Sequence, residues 1–209
     1  MSKTKKTKSS ARWLKEHFSD PYVKKAQQEG LRARSAYKLQ EINDKYKFIK
    51  AGMQVVDLGA APGGWSKIAA HLVGSKGKVI ALDILPMKPL PNVEFIQGDF
   101  TSLDVVNNLI RLAGKSNIDV IISDMAPNLS GISSTDHARS LELVSQALNF
   151  ALQTLKPQGT LLLKAFLGPE LNEFKNVLRQ YFAEVKLIKP KASRSRSEEL
   201  FLLAQRFEV

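Results

Sequence analysis

The stretch VVDLGAAPGGW, residues 55–65, decides the fold of this chain. An apolar run ends at Asp57, and a loop of small residues then leads into a segment with helical spacing. In open α/β sheets such a loop follows the carboxyl end of a strand, which is where ligands bind. Glycine can serve turn geometry alone, but three glycines and two alanines within residues 59–64 favour the close approach of a ligand.

The spacing of the glycines argues against a ligand that carries phosphates. Dinucleotide-binding loops have the pattern G-x-G-x-x-G, and phosphate-binding loops require Gly-Lys-Ser/Thr. This loop instead has G-x-x-x-G-G, and Pro62 lacks the amide N–H that could donate to a phosphate. The loop therefore predicts a nucleoside without phosphates.

Acidic residues follow three successive predicted strands. Asp57 ends the first, Asp83 ends the second 19 residues after Gly64, and Asp99 follows the third. The carboxylate of Asp83 is placed to accept hydrogen bonds from both hydroxyls of a ribose, and Asp99 to meet an adenine amino group. Any one of these acids could instead cap a helix or form a turn. Their order at three strand ends favours a shared ligand.

From residue 51 onward, short apolar runs alternate with amphipathic segments, which predicts an α/β fold with a mostly parallel sheet covered on both faces. Strands are predicted at 54–58, 78–83, 93–97, 119–123, 160–166, 184–188 and 200–204. Helices are predicted at 64–72, at 101–112 with Thr101 as the N-cap, at 137–155, and through Leu171, Phe174, Leu178 and Phe182. No helix separates the last two strands, so we expect them to pair antiparallel through a long basic loop.

The charge of the chain is concentrated at its ends. The net charge is +11 over 209 residues, with +9 in residues 1–50, −1 in 51–185 and +3 in 186–209. The first ten residues are typical of a solvated tail. In residues 12–50 the basic residues alternate with aromatic ones, which favours nucleic-acid binding. We therefore predict a basic, nucleic-acid-binding N-terminal region at 1–50 that packs on a main domain at 51–209.

The composition excludes several classes of protein. The chain has no cysteine, so disulfides, thiolate metal sites and cysteine nucleophiles are ruled out. Its N-terminus is basic but lacks the apolar core of a secretory signal. The longest apolar runs are too short to span a bilayer. These features predict a cytoplasmic protein with no membrane partner.

The glycine loop and the three acids resemble those of class I S-adenosylmethionine-dependent methyltransferases. The resemblance implies a Rossmann-like, seven-stranded, mostly parallel sheet whose last strand is antiparallel, with helices on both faces. It also implies that S-adenosylmethionine is the cofactor. The residues that would bind it are Asp57, Gly59, Gly63, Gly64, Trp65, Asp83, Asp99 and Asp124.

Within that class, the segment IISDMAPN at 121–128 favours methylation of a hydroxyl group. Amino-group methyltransferases usually carry Asn/Asp-Pro-Pro-Tyr/Phe here, and C5 methylation of a base typically needs a cysteine. An alcohol needs a base, and Lys164 is an isolated charge in the apolar run LLLKAF at 161–166. A lysine at a strand end normally reaches solvent, but burial or a neighbouring cation such as Lys38 favours the neutral amine that a base requires. Asp124 and Glu199 could orient the two lysines.

Lys38, Asp124, Lys164 and Glu199 match in order and context the K-D-K-E tetrad of 2′-O-ribose methyltransferases. The similarity then extends along nearly the whole chain to the bacterial FtsJ/RrmJ family. The matching motifs are RWL at 12–14, GLRARSAYKL at 30–39, DLGAAPGGW at 57–65, SDMAPN at 123–128 and SRSR at 193–196. Glu198 is adjacent to Glu199, and the spacing to the following apolar run matches the family at Glu199.

The family resemblance implies S-adenosylmethionine-dependent 2′-O-methylation of a uridine in large-subunit (23S) ribosomal RNA, in the assembled 50S subunit. Lys164 would be the proton acceptor, and no metal would be required. The residues expected to contact RNA are Arg12, Arg32, Arg34, Lys38, Arg194 and Arg196. A monomer is expected. The alternatives are a catalytically silent, RNA-binding ribosome-assembly factor and a 2′-O-methyltransferase of transfer RNA.

Overall fold

The computed structural model describes residues 20–127, 133–168, 170–194 and 197–208. Its helices are α1 (Pro21–Gln28), α2 (Ala36–Tyr46), α3 (Gly64–Val73), α4 (Leu103–Ala113), α5 (Ser133–Thr154) and α6 (Leu171–Leu178). Its strands are β1 (Gln54–Leu58), β2 (Lys78–Asp83), β3 (Val93–Gln97), β4 (Ile118–Ser123), β5 (Leu155–Phe166), β6 (Phe182–Ile188) and β7 (Glu199–Phe207). None of the helices in these ranges is both long and apolar enough to cross a lipid bilayer.

The seven strands form one sheet in the order β3-β2-β1-β4-β5-β7-β6. The neighbours from β3 to β5 pair parallel, whereas β7 pairs antiparallel with both β5 and β6. The predicted mostly parallel sheet with an antiparallel last strand is therefore confirmed. Because the parallel strands all run the same way, their carboxyl ends meet at one edge of the sheet.

Helices cover both faces of the sheet, in agreement with its nearly continuous apolar strands. On one face α4, α5 and α6 pack on side chains such as Ile121 and Leu163. On the other face α2 and α3 pack on side chains such as Val55 and Phe201. Since α2 buries Leu39 in this second layer, the basic N-terminal region contributes to the same hydrophobic core as the sheet.

Helix α1 packs at the side of α2. The carboxylate of Asp20 caps it by accepting the amide hydrogen of Tyr22, with 2.9 Å between nitrogen and oxygen. Its buried Ala26 contacts Tyr37 of α2 and Ala192 of the segment between β6 and β7. This small apolar cluster joins the beginning of the described chain to a segment near its end.

The predicted start of α4 is wrong by two residues. Both the amide and the hydroxyl of Thr101 donate to Asp99 Oδ1, at 2.9 and 2.8 Å. These bonds commit Thr101 to a turn, in which a short polar side chain bonds the backbone two residues on. Ser102 takes the N-cap position with an extended backbone, and α4 begins at Leu103.

Other boundaries also differ from the prediction, among them two at the ends of long apolar patterns. Phe182 opens β6 instead of closing α6, and its ring packs 5.2 Å from that of Phe207. Leu155 does not close α5 but begins β5, opposite Ile118. The register of the β4–β5 pair then shifts, which accommodates Pro157 because a proline cannot donate to the ladder.

Candidate active site

A crevice opens at the carboxyl ends of β1, β2 and β4, the edge at which the sequence predicts ligand binding. Its volume is about 410 Å³, a size typical of small-molecule sites. The carboxylates of Asp83, Asp99 and Asp124 line it, together with Gly59 and Gly98. No lysine or arginine is among the described residues that line it. The crevice is therefore acidic, although the protein carries a net charge of +11.

The glycines of the 59–64 loop are required by contacts within the protein. Gly59 has a φ of 77°, and a Cβ there would lie 2.7 Å from Met125 Cγ. Gly63 has a φ of 101°, and a Cβ there would lie 2.8 Å from Met87 Sδ. A Cβ at Gly64 would press on a neighbouring alanine at 3.3 Å. The close approach predicted at these glycines is therefore made by other atoms of the protein. Of the three glycines, Gly59 also lines the crevice.

Asp57, near the carboxyl end of β1, is fully buried. Its Oδ2 accepts a hydrogen bond from Ser66 Oγ at 2.6 Å, and its Oδ1 has no partner among the described residues. Burial raises the pKa of Asp57 to about 7; the Ser66 hydrogen bond opposes the rise, and the carboxylates of Asp124 and Asp83 add to it. Asp57 does not line the crevice, so it can act on a ligand through its charge and not through contact.

Trp65 lies in the core, with 2% of its surface exposed. Its Nε1 donates to the carbonyl oxygen of Ser35 at 2.8 Å, and its ring lies 5.6 Å from that of Phe201. Trp65 therefore joins α3 to the start of α2 and to β7. Neither Gly64 nor Trp65 lines the crevice, and their assignment to cofactor binding stays a prediction that these contacts do not support.

Asp83 and Asp99 reach the crevice from the ends of β2 and β3. Asp83 accepts two backbone hydrogen bonds at 2.8 Å, from the amides of Ala61 and Leu85, so it also braces the glycine loop. Asp99 accepts the two bonds from Thr101, and these hold the pKa of its carboxyl below the usual range. Both carboxylates are thus fixed in position at the edge where the sequence places them.

The predicted tetrad forms two lysine–carboxylate pairs. Lys38 Nζ contacts both carboxylate oxygens of Glu199, at 2.6 and 2.8 Å. Lys164 Nζ donates to Asp124 Oδ1 at 3.1 Å and also to the carbonyl oxygen of Asp124. All four side chains are less than one-fifth exposed. The neighbouring Glu198, by contrast, has a side chain that is two-thirds exposed.

The sheet register explains how the tetrad assembles. Lys164 lies opposite Phe201, and Phe166 lies opposite Glu199. Because side chains alternate between the two faces of a strand, Lys164, Phe201 and Glu199 share the face that α2 covers. Lys38 projects from the first turn of α2 onto this face. Asp124 directly follows β4, the strand beside β5.

Burial and neighbouring groups have opposite effects on the pKa of Glu199. Its burial raises the pKa, but Lys38, the hydroxyl of Ser193 and Lys164 together lower it by more, so the pKa lies below the usual range. The carboxylate is therefore ionised, and it links the two lysines of the tetrad electrostatically.

Two residues outside the predicted set of site residues also hold the site. Ser193 Oγ donates to Glu199 Oε1 at 2.8 Å. Glu41 accepts the amide hydrogens of Lys191 and the following residue, at 3.0 and 3.3 Å. Both contacts involve residues 189–194 between β6 and β7, called here the basic segment. Both residues had a signal in the sequence. Glu41 lies three residues after Lys38 on the same helix face, and Ser193 begins the SRSR motif at 193–196.

Two of the arginines predicted to contact RNA bond to the protein itself. Arg32 donates to backbone carbonyls of the β2–β3 connection, at 2.6 Å to Lys88 and 2.7 Å to Pro89. Arg34 donates to the carboxylate of Asp20 and to a carbonyl oxygen of the basic segment. Their guanidinium groups therefore brace the N-terminal helices, which leaves less of them available to a phosphate.

Arg194 is better placed than Arg34 for a ligand outside the crevice, because its side chain is more exposed. Arg194 has a side chain about one-third exposed, and its Nε lies 3.7 Å from Asp20 Oδ2. Lys38 lies at the tetrad itself. Arg12 and Arg196 lie outside the described residues. Among the residues that are described, no group of three or more histidine and carboxylate side chains could hold a metal ion.

The model of the FtsJ-like methyltransferase family matches residues 31–207. The chain belongs to this family. Ribosomal RNA large subunit methyltransferase E of Marinobacter nauticus is 52% identical over 204 residues, 98% of this chain and 99% of that protein. The protein of the same name from Acinetobacter baumannii is 53% identical over 201 residues, 96% and 93% of the two chains.

A solved structure supports the same family and fold. It is described as a ribosomal RNA methyltransferase from Plasmodium falciparum and superposes with a TM-score of 0.76 at 33% identity. The match covers 84% of this chain and 98% of that one. The chain is thus a methyltransferase with the class I fold, whose mixed sheet is flanked by helices on both faces.

Proposed function

We propose that this methyltransferase transfers the methyl group of S-adenosylmethionine to the 2′-hydroxyl of a uridine in large-subunit ribosomal RNA. The observation that carries the proposal is the pair of buried lysine–carboxylate contacts, Lys38–Glu199 and Lys164–Asp124, beside an acidic crevice. Two relatives that match nearly the whole chain are named for large-subunit ribosomal RNA methylation.

The chemistry of the crevice fits S-adenosylmethionine. Three carboxylates and no described basic side chain line it, which suits a ligand with hydroxyl groups, positive charge and no phosphate. Asp83 and Asp99 would accept hydrogen bonds from its ribose and adenine, and Ile84 and Leu85, each 61% exposed, offer apolar surface for the base. When bound, S-adenosylmethionine supplies a methyl group already activated by the positive charge on sulfur.

Lys164 is the proposed base. It accepts the proton of the 2′-hydroxyl as the ribose oxygen attacks the methyl carbon. This role requires the neutral amine, so we expect the rate to rise with pH until that amine is fully formed. Asp124 fixes Nζ through its carboxylate and its carbonyl oxygen. Lys38, held by Glu199, keeps a second positive charge on the same face and positions the ribose.

The RNA would approach over the basic ends of the chain. Residues 1–50 carry +9 and residues 186–209 carry +3, and both surround the tetrad through Lys38 and Glu199. We propose Arg194 and Lys38 as direct contacts, with Arg12 and Arg196 added from the sequence alone. A 2′-hydroxyl nucleophile by itself selects RNA over DNA. The substrate would place the protein in the cytoplasm, where we expect a monomer.

The direct test is methyl transfer from labelled S-adenosylmethionine to ribosomal particles. Purified protein would be incubated with 50S subunits, free 23S RNA and transfer RNA, each from cells that lack the corresponding gene. We expect label in 50S subunits, at a single 2′-O-methyluridine that mapping locates in 23S RNA. Label confined to transfer RNA would overturn the substrate assignment, and binding without transfer would favour a silent assembly factor.

A further inference from the structure

We infer that Ser193 is a positioning residue of the active site, one that sets the carboxylate of Glu199 against Lys38. The inference rests on the proposed function, because it concerns the same tetrad. Ser193 acts through Glu199 and not on the substrate. It is only 8% exposed, so its hydroxyl is turned into the protein and not toward solvent.

The contacts around Glu199 leave its carboxylate one orientation. Lys38 Nζ lies 2.6 Å from Oε1 and 2.8 Å from Oε2, so a single ammonium spans both oxygens. Such a point contact fixes the distance of the carboxylate but allows it to turn about its own axis. The hydroxyl of Ser193 donates to Oε1 at 2.8 Å from a second direction. The two donors together define the plane of the carboxylate.

The basic segment holds Ser193 in place, and α2 holds the basic segment. Glu41 accepts two consecutive amide hydrogens just before Ser193, at 3.0 and 3.3 Å. The amide of Ser193 itself donates to the carbonyl of Pro190 at 3.0 Å, which closes a turn. Helix α2 therefore carries Lys38 and, three residues later, the carboxylate that anchors the serine opposite it. This helix fixes the position of Lys38 directly, and it fixes that of Glu199 through Glu41 and Ser193.

The hydrogen bond also affects the charge of Glu199. The groups that face this carboxylate are Lys38 from α2, Lys164 from β5 and Ser193 from the basic segment. Burial favours the neutral acid, and these three groups oppose burial. Without the serine hydroxyl the balance moves toward the neutral acid. Glu199 then takes up a proton at a higher pH and holds Lys38 less firmly.

The test is the substitution Ser193→Ala, combined with Glu199→Ala in a double-mutant cycle. We expect Ser193→Ala to lower kcat about tenfold, since a hydrogen bond to a charged group is worth this much in rate. The KM for S-adenosylmethionine should stay within twofold, because Ser193 does not line the crevice. In the Glu199→Ala background, which lacks the acceptor, the same substitution should change kcat less than twofold.

Ser145→Ala in α5 is the matched control, because it makes the same change at a half-buried position away from the tetrad. It should keep the wild-type kcat. An equal tenfold loss in the Glu199→Ala background would overturn the inference, since it would show that Ser193 does not act through Glu199. Wild-type turnover in Ser193→Ala would overturn it as well.

A measurement without substrate separates this inference from the proposed function. The titration of the Glu199 carboxyl can be followed by carbon-detected NMR in the wild type and in Ser193→Ala. An upward shift of the titration supports the positioning role even if ribosomal RNA proves not to be the substrate. An unchanged titration contradicts it even if the wild type methylates 50S subunits.

Discussion

The acidic crevice and the basic segment meet at the tetrad, yet they are built in opposite ways. Three carboxylates line the crevice, and its described lining has no basic side chain. The basic segment carries Lys189, Lys191 and Arg194. The carboxylates of Glu41 and Asp20 bind it to the body of the protein. One region attracts a small cation and the other a polyanion. A single net charge of +11 hides this division.

One lysine–carboxylate pair of the tetrad faces the acidic crevice, and the other faces the basic segment. The tetrad therefore shares features of both regions. Asp124 lines the crevice and holds Lys164. Glu199 follows the basic segment and holds Lys38. A substitution in one region should therefore affect cofactor binding, a substitution in the other should affect RNA binding, and a substitution in the tetrad should affect turnover.

The largest expected effect is at Lys164, where the two regions meet. Lys164→Ala should lower kcat by roughly a thousandfold, since a positioned base contributes about this much. Cofactor affinity should stay within twofold, as Lys164 does not line the crevice. Single-turnover methyl transfer and calorimetry measure the two quantities. Lys156→Ala, on the same strand and paired with Asp119 at 2.9 Å, is the control and should keep full turnover. Turnover within tenfold of wild type would remove Lys164 from the base role.

The acidic crevice is tested next, through Asp83→Ala. The variant should raise the Kd for S-adenosylmethionine by roughly tenfold to a hundredfold, because ligand hydroxyls and two loop amides lose a charged acceptor. Its RNA affinity should not change. Asp44→Ala, which removes an exposed carboxylate from α2, is the control and should leave both affinities unchanged. Equal weakening of RNA binding in Asp83→Ala would show that the two regions are not separable.

The fully buried Asp57 of β1 predicts a dependence of stability on pH. The pKa of Asp57 is about 7 in the folded protein, against an ordinary value near 4. Between these pH values the folded protein keeps a proton that the unfolded chain has released, so the free energy of unfolding falls as pH rises. Relative to Asp57→Asn, the wild type should lose on the order of 2 kcal/mol between pH 5 and pH 8.

Urea unfolding at the two pH values measures this difference. Asparagine keeps an acceptor for the hydroxyl of Ser66 but cannot ionise, so the variant should lack this part of the pH dependence. Parallel curves for the wild type and Asp57→Asn would show that Asp57 has the same charge at both pH values.

The smallest expected effect lies in the basic segment. Arg194→Ala should weaken RNA binding about threefold and reduce the slope of log Kd against log salt concentration by about one. Its Kd for S-adenosylmethionine should not change. Arg179→Ala, in the turn after α6, removes the same charge from another surface and should leave the salt dependence intact. An unchanged slope in Arg194→Ala would remove this arginine from the RNA interface.

Much of the fold was predictable because its signals are local. Apolar strands and amphipathic helices have distinct periods, and the predicted strands β1, β2 and β3 match the structure in both bounds. The misplaced boundaries arise where a turn competes with the pattern: Thr101 bonds Asp99 instead of capping α4. Periodicity does not detect such side-chain bonds.

The site was less completely predictable than the fold. The four tetrad residues were found from their order and context, and two ion pairs now join them. The burial of Trp65 and Asp57 was not predicted, because a sequence motif does not show which of its side chains point into the core. No role at the site was predicted for Ser193 or Glu41, because their contacts depend on how the basic segment packs on α2. The contact of Glu41 spans about 150 residues of sequence.

The insertion of β7 between β5 and β6 also has a consequence for how the enzyme folds during synthesis. During synthesis β6 emerges before β7 but has no partner in the sheet until β7 enters beside it. Glu199, 161 positions after Lys38, arrives with that last strand. A nascent chain can therefore expose its basic N-terminal helices to RNA well before it can catalyse anything. Activity appears only as the final long-range pairing closes, which makes catalytic competence a late reporter of folding.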